Sequence, residues 1–280
     1  MLIDTHAHLN FNAYKDDVDE VIKRTLANDV WMINVGSQYS TSKRAVEIAE
    51  KYPKGIYASV GLHPIHAAES QRRLLDENED SHRLGDGSKN GHSFPPSLLG
   101  SKSSVFDHDK FKELAGLPRV VAIGEIGLDY KAEYSSFKEK QKEVFLEQLA
   151  LAKELDLPVI LHCRMAHQDL LEIVNPETKG VVHCFTGNTE QARKYLEMGM
   201  YLGFNGIIFK LDLDKAIKET PLERILIETD CPYLTPSQVE GRNEPVYVKY
   251  VAEKIAEIKN ISYEKISKIT TENAKKLFNL

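Results

Sequence analysis

The chain has 280 residues, of which 42% are hydrophobic and 28% charged. That is a folded globular composition, and it excludes collagen, coiled coil and wholesale disorder. Lysine and arginine number 36 against 42 aspartates and glutamates, a net charge of -6. An acidic chain does not coat nucleic acid through a general positive field, so any phosphate substrate needs a local site. The sequence holds no apolar run of the roughly 18 residues that a membrane span requires. Asp4 and His6 interrupt the opening stretch MLIDTHAHLN where an export signal would be continuously apolar. Cys163, Cys184 and Cys231 are odd in number and widely spaced, which is no disulfide framework and points to a reducing cytoplasm.

Short apolar runs bounded by turn residues predict strands at Leu2–Thr5, Val30–Val35, Ile56–Leu62 and Val120–Ile126. Four more follow at Val159–Leu161, Gly180–Phe185, Met200–Ile207 and Arg224–Thr229. Their continuous hydrophobicity suits parallel strands covered on both faces. Between strands the apolar spacing becomes helical. Over 136–156, Phe137, Val144, Phe145, Leu149, Ala152 and Leu155 form one stripe, and Pro158 closes the stretch. A second stripe runs over 246–258, and the tail 262–280 predicts two short helices with Ser262 and Thr270 or Thr271 as caps. Eight strands alternating with helices predict an α/β TIM (β/α)8 barrel with extra C-terminal helices, and a doubly wound open sheet is the alternative. The segment 69–109, rich in Ser, Gly, Asp and Pro, reads as a loop inserted after strand three in a single domain spanning 1–280. Its His82, His92 and His108 read as solvated loop residues.

The ends of the predicted strands carry the chemistry. His6 and His8 are two apart, so they share one strand face. Glu125 stands at the end of strand four, His162 of strand five, His183 of strand six and Asp230 of strand eight. Four imidazoles and two carboxylates at the C-terminal ends of barrel strands suit one or two divalent ions such as Zn, Mn or Mg. Cys163 and Cys184 directly follow the two later histidines, so they face the helix layer as packing residues, and Cys231 reads the same way. Glu228 shares parity with Asp230. Either it supports a ligand from behind or the strand bends before Asp230.

Seven motifs in order resemble the TatD-like metal-dependent deoxyribonucleases, a branch of the amidohydrolase-type metal barrels. They are IDTHAHLN, SVGLHP, IGEIGLDY, LHCR, VHCFTG, IETDCPYL and GRNEP, and TTENAKKLF resembles that family's last helix. The resemblance implies that His6 and His8 hold one ion, that Glu125 bridges two, and that His162 and His183 complete the second site. It gives Asp230 a place on the first ion and the proton of the attacking water. His63 resembles a residue near the substrate phosphate, with a backbone-bonded loop histidine as the alternative. Met165 departs from the pattern, standing where an acidic residue is common.

Carried through, these readings predict a hydrolase with two divalent metal ions (Mg, Mn or Zn) that cleaves DNA, trimming single-stranded ends as a 3'-5' exonuclease. Deacylation of D-aminoacyl-tRNA, or another small-substrate hydrolysis, is the alternative on the same barrel. No membrane association and no obligate protein partner is expected. Arg164, Lys210 and Arg242 are candidates for flanking phosphates, and Tyr130, Phe185 and Phe209 for stacking on bases.

Overall fold

The computed structural model describes residues 1–67 and 106–280. Eight parallel strands lie in chain order around one sheet. They are β1 (Leu2–Ala7), β2 (Val30–Val35), β3 (Ile56–Val60), β4 (Val120–Asp129), β5 (Val159–Arg164), β6 (Gly180–Val182), β7 (Tyr201–Phe204) and β8 (Ile225–Ile227). The described helices are α1 (Val18–Ala27), α2 (Tyr39–Glu50), α3 (His108–Ala115), α4 (Lys138–Glu154), α5 (His167–Ile173), α6 (Thr189–Glu197), α7 (Asp214–Glu219), α8 (Val248–Lys259) and α9 (Tyr263–Phe278). The last strand returns to the first: Ala7 bridges Cys231 in parallel, and Asp230 N–H donates to His6 O at 2.8 Å. The sheet is therefore a nearly closed TIM barrel, and the open-sheet alternative is excluded.

Local signals explain the boundaries. Asn188 and Gln191 form a reciprocal capping box at the start of α6, each at 2.9 Å. Asn260 and Asn279 end α8 and α9 with φ of 52° and 54°, the left-handed conformation that asparagine tolerates. Ser262 caps α9 as expected, accepting from Lys265 N–H at 3.2 Å. The tail is one helix, however, and not two. Thr270 and Thr271 lie inside it, where the Thr270 hydroxyl donates back to Ile266 O at 2.9 Å and the Thr271 hydroxyl to Met1 O at 3.1 Å. Asn273 donates to Leu222 O and Ile225 O, both at 2.8 Å, so α9 is tied to the N-terminal end of the barrel beside β8.

Two apolar layers hold the structure. Ile3, Ile33, Val35, Ile160, Val181, Tyr201 and Leu226 pack together with Ala274 and Phe278 of α9. A larger layer between strands and helices takes in Val60, Phe145, Leu161, Val182 and Ile255, with Cys163 and Cys231 among them. Each fully buried aliphatic or aromatic side chain contributes about 1.5–3 kcal/mol by leaving water.

Two register shifts set up the mouth. The β1–β2 register slips between Asp4 and Ala7, and the β4–β5 register between Ile123 and Ile126. Such an irregularity changes which side chains face inward. Ile3 thus packs inside the barrel while His6 and His8, of the opposite parity, also reach the site. Of the 69–109 insertion, residues 69–105 lie outside the described residues, with His82 and His92 among them. His108 is not in a loop but opens α3, where its Nε2 lies 3.2 Å from Glu154 Oε2, in contact with α4. Among the described residues, no helix is long and apolar enough to cross a membrane.

Candidate metal centre

Glu125 sits in the middle of the site and is buried. Its Oε1 lies 2.7 Å from His162 Nδ1, 2.8 Å from His183 Nε2 and 3.3 Å from His63 Nε2. Its Oε2 lies 3.5 Å from His6 Nε2 and 3.8 Å from His8 Nε2. Asp230 Oδ1 approaches the same pair, 3.5 Å from His8 and 3.8 Å from His6. All six predicted strand-end residues therefore meet in one place, and His63 joins them.

The donor set fits a cation. His8 Nδ1 lies 2.8 Å from Val35 O, a carbonyl that can only accept, so a neutral His8 turns the lone pair of Nε2 into the site. That lone pair faces His6 Nε2 at 3.1 Å and the carboxylate oxygens of Asp230 and Glu125. Lone pairs converging on one another in a buried space call for positive charge between them. Three groupings, His6–His8–Glu125, His63–Glu125–His162 and His6–His183–Glu228, each keep their ligand atoms within 4.8 Å of one another.

The surroundings tune these groups. Burial works against the charge of Glu125, yet the imidazoles of His63, His183 and His162 outweigh it and hold the carboxyl well below its usual range. Burial disfavours the charged form of His162 too, but hydrogen bonds to Asp129 and Glu125 prevail and raise it to about 9. His183 is likewise raised despite burial, by Glu125 and Glu228. Burial lowers both His6 and His63. Asp230 is lowered, since His8, His6 and His183 outweigh its burial. Perturbed groups of both signs in one mouth mark a functional site.

Two supporting carboxylates complete the picture. Asp129 Oδ2 lies 3.1 Å from His162 Nε2, on the far side of the ring from Glu125. Sequence reasoning gave Asp129 no role, although it stands four residues past Glu125 in IGEIGLD. Glu228 accepts from Cys184 N–H at 2.6 Å and from the Asn205 amide at 3.1 Å, and its Oε1 lies 3.4 Å from His183 Nδ1. A Cβ on Gly203 would stand 2.5 Å from Glu228 Oε2, so the glycine on β7 makes room for this carboxylate. Both sequence alternatives for Glu228 hold at once: it backs His183, and the chain turns at Asp230, whose φ is 57°.

The remaining candidates divide. Arg164 ends β5, half-buried near Tyr134, and has no carboxylate partner among the described residues. Lys210 is exposed beyond β7. Arg242 is instead occupied with Asp17, at 3.0 and 2.6 Å, and is not free for phosphate. Phe185 is fully buried against Tyr195 and Phe204. Tyr130 is buried and donates to Asp169 at 2.6 Å. Neither ring is available to stack on a base, and Phe209 is half-buried against the helix layer. Cys163 packs by His167 and Tyr195, Cys184 by Asn205, and all three cysteines are free thiols.

Histidines and carboxylates gathered where parallel barrel strands end define the class of barrel hydrolases that work with metal ions. Comparison with known proteins narrows the class. The family model described as TatD related DNase matches residues 3–279. The chain is 44% identical to the uncharacterized metal-dependent hydrolase YabD of Bacillus subtilis, over all of both chains. It is 31% identical to the 3'-5' ssDNA/RNA exonuclease TatD of Salmonella typhimurium, over 99% of this chain and 98% of that one. Among solved structures, the TatD homolog YJJV of Escherichia coli superposes with a TM-score of 0.78 at 28% identity, covering 100% of this chain and 98% of that one. The chain belongs to the TatD-related family of metal-dependent hydrolases.

Proposed function

We propose that this hydrolase is a two-metal exonuclease that removes nucleotides from the 3' end of single-stranded DNA. The observation that carries the reading is Glu125, whose two oxygens face separate sets of imidazoles, His6 and His8 on one side, His162 and His183 on the other. On this reading His6, His8 and Asp230 hold one divalent ion, His162 and His183 hold the other, and Glu125 serves both. Such ions would supply a water of lowered pKa, toward about 7, and positive charge beside the phosphoryl group. Magnesium, manganese and zinc all suit a His/Asp/Glu set.

The chain's own residues supply the rest. Asp230, kept ionised by its histidine neighbours, takes the proton of the attacking water. His63 Nδ1 accepts from Ile65 N–H at 3.2 Å, so its Nε2 bears the hydrogen. That N–H lies 3.3 Å from Glu125 Oε1, where a phosphoryl oxygen placed beside the carboxylate would accept from it. Arg164 meets an adjacent phosphate as a fork of N–H donors. The choice of a 3' single-stranded end is supported by the name of the Salmonella relative, a 3'-5' ssDNA/RNA exonuclease. The free thiols suit a cytoplasmic setting.

The test is an oligonucleotide labelled at its 5' end, incubated with protein and Mg, Mn or Zn. A ladder shortening from the 3' end, abolished by EDTA, is expected. No shortening with any of the three metals would refute the reading.

A further inference from the structure

The left-handed φ of Asp230, 57°, is one that favours glycine. Aspartate visits that region more readily than most residues, and restraints from its surroundings keep it there. Part of the restraint is the backbone: Asp230 N–H donates to His6 O at 2.8 Å, and Tyr233 N–H donates to Asp230 O at 3.0 Å. The rest comes from outside the turn. Asn243 is fully buried, and its Nδ2 donates to Thr229 O at 3.0 Å and to Tyr233 O at 2.6 Å. These carbonyls flank Asp230 on either side, so a single amide grips both shoulders of the turn. Asn243 Oδ1 accepts from Glu244 N–H at 3.0 Å, which uses the third function of the side chain.

Asn243 is itself braced. The Tyr14 hydroxyl donates to Asn243 O across the mouth of the barrel. The Arg242 guanidinium lies 4.1 Å over the Tyr14 ring and is held by Asp17, and Glu244 pairs with Arg24 of α1 at 2.6 and 2.7 Å. The residues before and after Asn243 are thus pinned to the first helical layer by two ion pairs. We propose that Asn243, braced by Tyr14 and the Arg242–Asp17 and Arg24–Glu244 pairs, is a positioning residue that holds Asp230 where its carboxylate reaches the metal site. The inference rests on the assignment of Asp230 as a ligand made above.

Replacing the Asn243 amide by a carboxylate keeps its shape but removes both donors. The buried Thr229 carbonyl and the part-buried Tyr233 carbonyl then lose this partner, and the turn is released from its left-handed conformation. Displacements of about 1 Å are enough to spoil such a site.

The experiment is calorimetric titration of the metal-free protein with Mn, with no substrate present. Wild type, Asn243→Asp, Tyr14→Phe and Asp230→Asn are compared well below their melting temperatures. Asn243→Asp and Asp230→Asn are expected to weaken the same one of the two ions by roughly 10–100-fold, leaving the other unchanged. Tyr14→Phe weakens that ion too, by less. Loss in Asp230→Asn with wild-type affinity in Asn243→Asp and Tyr14→Phe overturns the positioning role alone. Unchanged affinity in Asp230→Asn overturns its assignment as a ligand and the positioning role with it. If Asn243→Asp does not fold, Tyr14→Phe decides between the same outcomes.

Discussion

The two sides of the metal centre are supported differently. On the β1 side, His8 is oriented by a neutral backbone carbonyl, Val35 O, at 2.8 Å. On the β5 and β6 side, His162 is hydrogen-bonded to Asp129 at 3.1 Å, and the Glu228 carboxyl group lies 3.4 Å from His183 Nδ1. A carboxylate behind an imidazole fixes the ring and makes it a stronger donor to a cation. A carbonyl fixes the ring without adding charge. On the proposed two-ion reading, the contrast implies cation positions of unequal strength, the firmer lying between β5 and β6. The weaker one depends on Asp230, a carboxylate carried on a turn and not on a strand.

The largest effect should come from removing that advantage. Asp129→Asn keeps a hydrogen-bonding group behind His162 but deletes its charge. It is expected to weaken the β5 and β6 ion by roughly 10–100-fold. Stepwise removal of metal with a graded chelator, followed by elemental analysis, would then show the order of ion loss reversed relative to wild type. An unaltered order in Asp129→Asn would break the comparison.

A smaller effect concerns pH. In the metal-free protein His162 is raised to about 9, above its ordinary value near 6.5. A raised histidine contributes stability that is fully present below about pH 6.5 and is lost as pH climbs toward 9. The metal-free protein should therefore lose thermal stability across that window, and the Asp129→Asn variant should lose less. The metal-loaded protein should be flatter there, because the cation takes the place of the proton. Melting curves at a series of pH values check all three, and parallel curves for wild type and variant would contradict the role given to Asp129.

The contrast between the two sides also marks what a linear reading reaches. On β5 and β6 simple alternation suffices for the histidines: Ile160 and His162 share a face, as do Val181 and His183. Cys163 turns away into the helix-facing layer, but Cys184, past the end of β6, lies beside Asn205 instead. On β1 and β4 alternation over the whole strand fails, because the register slips between Asp4 and Ala7 and between Ile123 and Ile126. His6, His8 and Glu125 were legible only from their place at strand ends. Asp129 escaped notice because its role depends on His162, which is 33 positions away in sequence. The partners of Arg242 are hidden from the sequence for the same reason. A guanidinium near the mouth suggests phosphate, yet Asp17 and the Tyr14 ring, contributed by a distant stretch of chain, occupy it. The C-terminal tail was split in two by reading Thr270 and Thr271 as caps, when their hydroxyls bond to Ile266 O and Met1 O from inside one helix.

The most direct measurement is anomalous diffraction from crystals of the protein soaked in Mn. The account predicts two peaks flanking Glu125, one among His6, His8 and Asp230 and one beside His162 and His183, the second persisting at lower Mn concentration. Peaks remote from Glu125, or none at saturating Mn, would contradict it.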